Sequence, residues 1–266
     1  TFGFIGTGNM GGALARAVCR RVPSDEVFLA NRTMEKAQAL AAELECRVAD
    51  NAAIAQSADF IFLGVKPQMM ADMLSEIAPV LKQRETRFVL VSMAAGLSLE
   101  DIARMAGGEY PVIRIMPNTP SAIGEGMILY ACGKGVTKTE EKEFLDSMAG
   151  AGRFAAIPES QMDVGSAVSG CGPAFAYLFL EALADGGVAC GLPRDKALAY
   201  AAQMLAGSAR MVLETGAHPG ALKDAVCSPG GSTIQGVRAL EKGGLRAAAM
   251  DAVLTAYEKT QELGTK

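Results

Sequence analysis

The chain has 266 residues, half of them hydrophobic, which suffices for one large domain or two modest ones with a sizeable core. Its 25 basic and 29 acidic residues form no basic stripe, so we expect no nucleic-acid partner. The most apolar runs, such as residues 60–65, are too short to cross a bilayer, and the first residues do not resemble a signal peptide, so we expect no membrane partner.

Up to Pro158 the chain alternates short apolar runs with stretches of helical periodicity. Continuous apolar runs are typical of parallel strands that are covered on both faces. The alternation predicts an α/β fold, a Rossmann-like doubly wound sheet, over residues 1–158. Predicted strands are 2–5, 26–30, 60–65, 88–91, 113–116, 127–130 and 154–157; predicted helices are 11–21, 34–44 with Thr33 as N-cap, and one ending at Met148 that Thr137 and Glu140 open as a capping box.

After Pro158 the pattern changes, and residues 159–266 are predicted to form an all-helical C-terminal domain. Its abundant Ala and Gly favour close helix packing, and its apolar character implies a partner subunit. His218, the one histidine, stands beside Pro219 and is interpreted as a turn residue. Predicted helices are 173–184, 194–215, 221–226 and two within 232–263, with Gly186 and Gly187 among the separators.

A glycine loop with G-x-G-x-x-G spacing follows the first predicted strand and opens the first helix. The spacing is weak evidence alone, but this strand and helix are the context that dinucleotide binding requires. Gly6 permits the tight turn, Gly8 lets the backbone approach a pyrophosphate, and Gly11 lets the helix pack on the strand. The alternative is a glycine turn in another kind of βα unit.

The end of the second predicted strand indicates which nucleotide binds. An NAD site usually has a carboxylate there, whereas this chain has Asn31, Arg32 and Thr33. Arg32 can pair with a ribose phosphate while Asn31 and Thr33 donate hydrogen bonds, so we expect NADP(H), with NAD(H) as a second cofactor. In the alternative interpretation, Arg32 is a solvated surface residue and Thr33 is only a cap.

Further loops are expected at the carboxyl ends of strands, where ligands of open α/β sheets bind. They span residues 65–67, 93–96 and 116–120, and their small or rigid backbone suits a flat nicotinamide ring. Lys66 invites a role as proton donor, but a partly solvated lysine beside a structural proline explains it equally well, so no catalytic role is assigned to it.

The most unusual segment of the second half covers residues 228–233. Ser228 is a candidate cap, Gly230 and Gly231 are adjacent, and Ser232 and Thr233 place two hydroxyls at the start of a helix. Exposed backbone N–H groups at such a helix start suit a carboxylate. The alternative is a plain helix–turn–helix corner, which needs fewer glycines and hydroxyls.

The cysteines are scattered and none forms a C-x-x-C pair, which is typical of reduced thiols in a cytoplasmic protein. One histidine excludes the common His-rich zinc sites, and no metal is expected. The six cysteines are Cys19, Cys46, Cys132, Cys171, Cys190 and Cys227.

Together these features resemble the pyrroline-5-carboxylate reductase family, which catalyses the last step of proline biosynthesis. The resemblance covers nearly the whole chain, and one small departure is Cys171, where the family often has serine. Its carriers are residues 4–11, 65–67, 114–120, 169–174 and 228–234, followed by Gly236, Val237, Leu240, Glu241, Gly244 and Arg246.

The resemblance implies an oxidoreductase of amino-acid biosynthesis whose helical domain interlocks with that of a second subunit. A homo-oligomer is therefore expected, either a homodimer or dimers assembled into a decamer, with the active site where the nucleotide domain meets the helical domain. Transferred by motif, the cofactor contacts would be Gly6, Thr7, Gly8, Asn9, Met10, Gly11, Asn31, Arg32, Thr33, Asn51, Val65, Lys66, Pro67, Ala94, Ala95 and Gly96. The substrate contacts would be Gly230, Gly231, Ser232, Thr233 and, more weakly, Glu159, with Thr233 and Ser228 as the catalytic candidates.

The implied reaction is hydride transfer to the cyclic imine 1-pyrroline-5-carboxylate, a small-molecule substrate. An iminium is already electrophilic, so positioning supplies much of the rate. The Thr233 hydroxyl would hydrogen-bond the ring nitrogen, and the backbone N–H groups near Gly230 would hold the carboxylate.

Two alternatives belong to other classes. A β-hydroxyacid dehydrogenase has a similar opening, but it places a catalytic lysine one turn after a G-x-G, where this chain has Ala176. A sensor or scaffold that binds NADPH without turnover has no need of the carboxylate site at residues 228–233.

Overall fold

The computed structural model describes residues 1–264, with side chains as far as Glu262. The chain forms two compact units. The first comprises Thr1–Cys171 together with the helical residues from Ala256 onward, and the second comprises Gly172–Thr255.

The first unit is built on an eight-stranded sheet with the order β3-β2-β1-β4-β5-β6-β7-β8. Strand β7 runs antiparallel to β6, while the other neighbouring strands pair in parallel. This confirms the predicted Rossmann-like doubly wound sheet. The strands are β1 Phe2–Ile5, β2 Val27–Ala30, β3 Arg47–Val48, β4 Phe60–Leu63, β5 Val89–Ser92, β6 Val112–Met116, β7 Gly126–Cys132 and β8 Gly152–Ala156.

Helices cover both faces of this sheet, and several of them were not predicted. The capping box of Thr137 and Glu140 is confirmed: the Thr137 hydroxyl accepts from Glu140 N, and Thr137 N donates to the Glu140 carboxylate. Thr33 stands at the predicted N-cap, but its side chain makes no capping hydrogen bond. The helices of this part are α1 Asn9–Cys19, α2 Met34–Leu44, α3 Asn51–Ser57, α4 Met70–Gln83, α5 Leu99–Ala106, α6 Lys138–Met148 and α7 Met162–Gly165.

Alternate residues of each central strand point to opposite sides of the sheet, as the two-residue repeat of a strand requires. On one side, the rings of Phe4 and Phe62 stack with centroids 4.3 Å apart and pack with Phe144 of α6 and Leu14 of α1. On the other side, strand residues such as Leu63 pack against α3, α4 and α5. Two closed cores therefore hold the strands in place.

The first compact unit extends beyond Pro158, where the sequence placed the domain boundary. Met162 is fully buried with Met116 and Leu129, and Asp163 pairs with Arg114 at 2.8 Å between the Arg114 Nη2 and Asp163 Oδ1 atoms. These contacts attach the chain after Pro158 to the sheet. The path then continues through a π-helical turn, Ser166–Gly170, before the second unit begins.

The second unit is helical throughout. Gly186 and Gly187 do not separate helices as predicted, because both lie inside α8. The reason is packing: a Cβ on Gly187 would lie 3.2 Å from Ala197 Cβ, so this position lets α8 approach α9 closely. The remaining helices are α8 Gly172–Ala189, α9 Arg194–Thr215, α10 Pro219–Ala225, α11 Ser232–Lys242 and α12 Leu245–Gly264, the last of which ends in the first unit.

One stretch, Glu159–Ala189, is long and apolar enough to cross a bilayer by length and composition alone. Only 11% of its most apolar window is buried within the chain. Exposed apolar side chains of the second unit include Leu178, which lies in this stretch, and Leu213 and Leu254, which lie outside it. The helical unit therefore presents a large apolar surface.

Candidate functional site

The glycine loop, residues 6–11, connects β1 to α1. At two of its positions the backbone conformation or a close contact requires glycine. Gly6 has a φ of +98°, which L side chains rarely adopt, and its N–H donates to Ala30 O at 2.9 Å. A Cβ on Gly11 would lie 2.1 Å from Gly6 O, so any side chain there would push α1 away from the turn. The roles expected for Gly6 and Gly11 follow directly from this geometry.

Gly8 has the opposite surroundings, and they fit a phosphate. Apart from Gly8 and its two chain neighbours, no atom lies within 4 Å of the place where its Cβ would be. Gly8 is the N-cap of α1, and no side chain caps this helix. The first turn of α1 contains no acidic residue. Its free N–H groups and the positive end of the helix dipole therefore face open space.

The end of β2 lies next to this loop, because Gly6 N is bonded to Ala30 O. Asn31 Nδ2 donates to Thr33 O at 3.0 Å, so the amide orders the turn. The Arg32 side chain is exposed and makes no ion pair or hydrogen bond with the described part of the chain. Arg32 and the Thr33 hydroxyl, which makes no capping hydrogen bond to α2, are therefore available to a ligand.

The other predicted nucleotide contacts follow neighbouring strands. Lys66 is exposed and precedes a short 3-10 helix, Pro67–Met69, while Ala94 is buried and Gly96 has a φ of +76°. Asn51 begins α3, and its amide lies 3.3 Å from the Glu76 carboxylate.

All of these candidates share one edge of the sheet. The glycine loop follows β1, Asn31 follows β2, Asn51 follows β3, Val65 follows β4 and Ala94 follows β5. These five strands are adjacent and parallel, so their carboxyl ends meet at one edge. The structure thus brings together residues that lie up to about 90 positions apart, at the edge where nucleotides bind in this kind of sheet.

The 228–233 segment lies in the second unit and forms an open helix start. Gly231 is the N-cap of α11 and no side chain caps it, while Gly231 N donates to Ser228 O at 3.0 Å. Ser228 is therefore a turn residue and not the cap of this helix. Ser232 and Thr233 are exposed in the first turn of α11, which contains no acidic residue. The free N–H groups beside these two hydroxyls are suited to a carboxylate.

Glu159, the weaker substrate candidate, lies in the first unit and already has partners. Its Oε1 atom accepts from Leu99 N at 2.6 Å, and Arg114 Nη1 lies 3.5 Å from the same oxygen. The side chain of Arg114 is almost fully buried and also pairs with Asp163. The Glu159 carboxylate thus joins the start of α5 to β6.

Asn118 is a structural residue to which the sequence assigned no role. Its Nδ2 donates to Ser169 O at 2.9 Å, and its Oδ1 accepts from Met127 N at 3.0 Å. The buried amide thereby joins the loop after β6 to the π-helical turn. The sequence signal was a polar residue between two prolines at a strand end, which reveals a bend but not its partners.

His218 is the N-cap of α10, and its Nδ1 accepts from Gly220 N at 3.0 Å. The interpretation of this histidine as a turn residue is confirmed.

Comparison with known proteins adds two family matches. A model described as "Pyrroline-5-carboxylate reductase dimerisation" matches residues 159–263, and one described as "NADP oxidoreductase coenzyme F420-dependent" matches residues 1–96. The first match shows that the helical part is of a kind that forms oligomers.

Full-length relatives agree. The chain is 41% identical to a pyrroline-5-carboxylate reductase of Escherichia coli (strain K12) over 98% of the chain and 97% of the relative. It is 39% identical to one of Glycine max over 99% of the chain and 96% of the relative. A crystal structure of Plasmodium falciparum pyrroline carboxylate reductase with NADP bound is similar with a TM-score of 0.87 at 33% identity, covering 99% of this chain and 98% of that one.

Proposed function

Because the chain belongs to the pyrroline-5-carboxylate reductase family, we infer that it catalyses the NAD(P)H-dependent reduction of 1-pyrroline-5-carboxylate to L-proline, the last step of proline biosynthesis. The observation that carries this function is the full-length similarity, which includes both the glycine loop and the start of α11. Ala176 takes the place of the lysine that a β-hydroxyacid dehydrogenase needs, so that alternative is not retained.

The geometry of the first unit supports a dinucleotide site at the predicted cofactor contacts. We propose that the N–H groups at the start of α1 bind the pyrophosphate, because the space in front of Gly8 is open. Val65, Lys66, Pro67, Ala94, Ala95 and Gly96 would line the path of the remaining nucleotide, with Asn51 beside a ribose. The bound reduced nicotinamide supplies the hydride.

The preference for NADP(H) over NAD(H) is assigned to Arg32. Its guanidinium has no partner in the described chain and can pair with a ribose phosphate. Arg32→Ala should lower kcat/KM with NADPH about 10- to 100-fold and leave kcat/KM with NADH nearly unchanged, since a charge-assisted hydrogen bond contributes about 1.5–3 kcal/mol.

The matched control for Arg32→Ala is Arg47→Ala. Arg47 is also exposed and comes from the neighbouring strand, but its guanidinium lies over the Phe28 ring at 5.7 Å. This variant should keep the wild-type ratio of kcat/KM values. An Arg32→Ala enzyme with an unchanged ratio would contradict the assignment.

We propose that the substrate carboxylate binds the N–H groups at the start of α11, with Gly230, Gly231 and Ser232 shaping that site. The Thr233 hydroxyl is assigned to hold the ring nitrogen, where a proton must reside as the imine carbon accepts hydride. Ser228 supports the turn through its carbonyl, which accepts from Gly231 N. Glu159 acts through Arg114 and α5 in this proposal, because its carboxylate is already engaged.

Thr233→Ala tests this role. Loss of a hydrogen bond to a charged group should lower kcat about 10- to 100-fold while the KM for NADPH changes little. Thr233→Ser, which keeps the hydroxyl, should retain most of kcat. Equal losses in both variants would show that the methyl group and not the hydroxyl matters, and an unchanged kcat in Thr233→Ala would remove the residue from the mechanism.

The assembly is proposed to be a homodimer through the helical part, with dimers assembled into a decamer as the larger form. Light scattering of the purified protein separates the two. A cytoplasmic location without a membrane partner is also proposed. The apolar surface of Glu159–Ala189 is then covered by the second subunit.

A further inference from the structure

Two cysteines that are 27 positions apart lie near the carboxyl ends of α1 and α2, away from the glycine loop. Cys19 is the last residue of α1, and Cys46 follows α2. Glu45 ends α2 in the left-handed conformation with a φ of 56°, and Cys46 N then donates to Ala41 O at 3.1 Å. Cys46 is therefore the first residue after the cap of α2.

An ion pair next to the cysteines holds the two helices in register. Arg16 Nε and Nη2 bind both oxygens of the Glu43 carboxylate, at 2.8 and 2.6 Å. Cys19 lies three residues after Arg16, and Cys46 lies three residues after Glu43. Cys19, Leu44 and Glu45 line one surface cleft, so Cys19 lies next to the two residues that precede Cys46. Both cysteines also pack against the same hydrophobic cluster as Leu44.

The two thiols influence each other's ionisation. A hydrogen bond from Cys46, helped by one from Ser24, lowers the pKa of Cys19 although burial opposes the shift. The same hydrogen bond, with burial, raises the pKa of Cys46. One thiol is thus prepared to ionise while the other stays protonated beside it. Cys19 also lines an open surface cleft with Ser24 and Glu43, so small molecules reach it.

We propose that Cys19 and Cys46 form a peroxide-responsive pair that closes to a reversible disulfide between the ends of α1 and α2. The Cys19 thiolate attacks one oxygen of hydrogen peroxide, the O–O bond breaks, and a sulfenic acid forms with release of hydroxide, which takes up a proton. The Cys46 sulfur then attacks the Cys19 sulfur, and the hydroxyl leaves as water with the Cys46 proton. Two thiols and one peroxide give one disulfide and two waters, and a dithiol reductant reverses the change.

Cys46 acts as the resolving thiol in this scheme. A sulfenic acid without a neighbouring thiol proceeds to sulfinic acid, which thiol reductants do not reverse. The disulfide diverts Cys19 from that fate. About 15 Å of helix separates Cys19 from the glycine loop, so the reaction takes place away from the bound nucleotide.

The test uses the full-length reduced protein, treated with hydrogen peroxide, alkylated and mapped as nonreduced peptides by mass spectrometry. We expect a peptide pair linked through Cys19 and Cys46 that disappears after dithiothreitol. Cys190→Ser, which removes an exposed cysteine elsewhere, should keep this link. Finding both Cys19 and Cys46 fully alkylated after oxidation, or finding Cys19 linked to another cysteine, would overturn the proposal.

Single variants test the order of the steps. In Cys46→Ser, Cys19 should be labelled by a sulfenic-acid probe and then accumulate sulfinic acid, because nothing resolves it. In Cys19→Ser, Cys46 should be labelled much less. The reverse order of labelling would overturn the assignment of Cys19 as the attacking thiol.

Discussion

The two units of this chain differ in how much of their apolar surface they bury by themselves. In the first unit, phenylalanine, isoleucine and leucine side chains of the sheet are fully enclosed between two layers of helices. In the second unit, the buried hydrophobic residues are three alanines, Ala184, Ala197 and Ala201, while Leu178 and Leu213 are 69% and 66% exposed.

The first unit is therefore a self-contained core, whereas the second unit has an apolar surface for assembly with another subunit. Burial of one leucine side chain contributes about 1.5–3 kcal/mol, and in the second unit that contribution is available only when another surface covers the helices. The match of residues 159–263 to a dimerisation family explains what this surface is for. The first unit is therefore stabilised by its own core, whereas the stability of the second unit depends on protein concentration.

The largest expected effect comes from a charge on the exposed helical surface. Leu178→Asp should dissociate the oligomer and lower the melting temperature by several degrees, because a carboxylate would be buried without a partner in the assembly. Sedimentation at several protein concentrations measures the oligomer. The control is Val48→Asp, an exposed apolar residue of the edge strand β3, which should leave the assembly intact. Wild-type assembly in Leu178→Asp would mean that this face is not covered by a subunit.

A smaller effect is expected when glycine is replaced by alanine, and its size should differ between a position in the first unit and one in the second. In Gly11→Ala the Cβ would meet Gly6 O at 2.1 Å, so we expect a loss of about 1–3 kcal/mol and at least a tenfold rise in the KM for NADPH. In Gly207→Ala, within α9, the added Cβ would have no atom within 4 Å apart from its chain neighbours and the nearby backbone of its own helix. The better helix former should therefore be neutral or stabilising. Thermal melting of both variants shows the contrast. A strong loss in Gly207→Ala would show that a partner subunit packs against that position.

The smallest effect concerns a charged contact of the first unit. Arg87 and the backbone N–H of Thr137 lower the pKa of Glu140 to about 2 from its ordinary 4.5. A lowered folded pKa stabilises the protein above pH 4.5, and that stabilisation is lost as the pH falls towards 2. Because Arg87 is largely exposed, Glu140→Gln should cost only about 0.5–1 kcal/mol at pH 7.

Melting of Glu140→Gln and of the wild type between pH 7 and pH 2 measures this contribution. The difference should shrink as the pH falls. A difference that is constant across this range would mean that the carboxylate charge contributes nothing to the first unit. The Glu143→Gln variant is the control, since Glu143 is an exposed carboxylate of the same helix.

Much of the first unit was predictable because its signals are local. Apolar runs predicted the central strands, and the Thr137–Glu140 spacing predicted the start of α6. Strand β3 was missed because its two residues are exposed and pair only at the edge. Helix α5 was also missed, although Ser98 and Asp101 form a capping box that the spacing could have revealed.

The predicted site depends on the same distinction. The glycine spacing and the residues at the end of β2 could be found from the sequence, since their chemistry depends on neighbours along the chain. The roles of Arg114 and Glu159 could not, because their partners lie 45 or more positions away, and Asn118 likewise donates to Ser169, 51 positions away. The separator expected at Gly186 and Gly187 was wrong for a similar reason: the contact with Ala197 that explains Gly187 comes from another helix.

The sequence by itself therefore determined the order of elements, the class of cofactor and the family, all of which depend on residue types at short spacing. The tertiary structure decided where the first unit ends, which polar side chains were already engaged, and that Cys19 meets Cys46. Those outcomes depend on contacts between distant segments, and such contacts exist only after the sheet and its helices have packed.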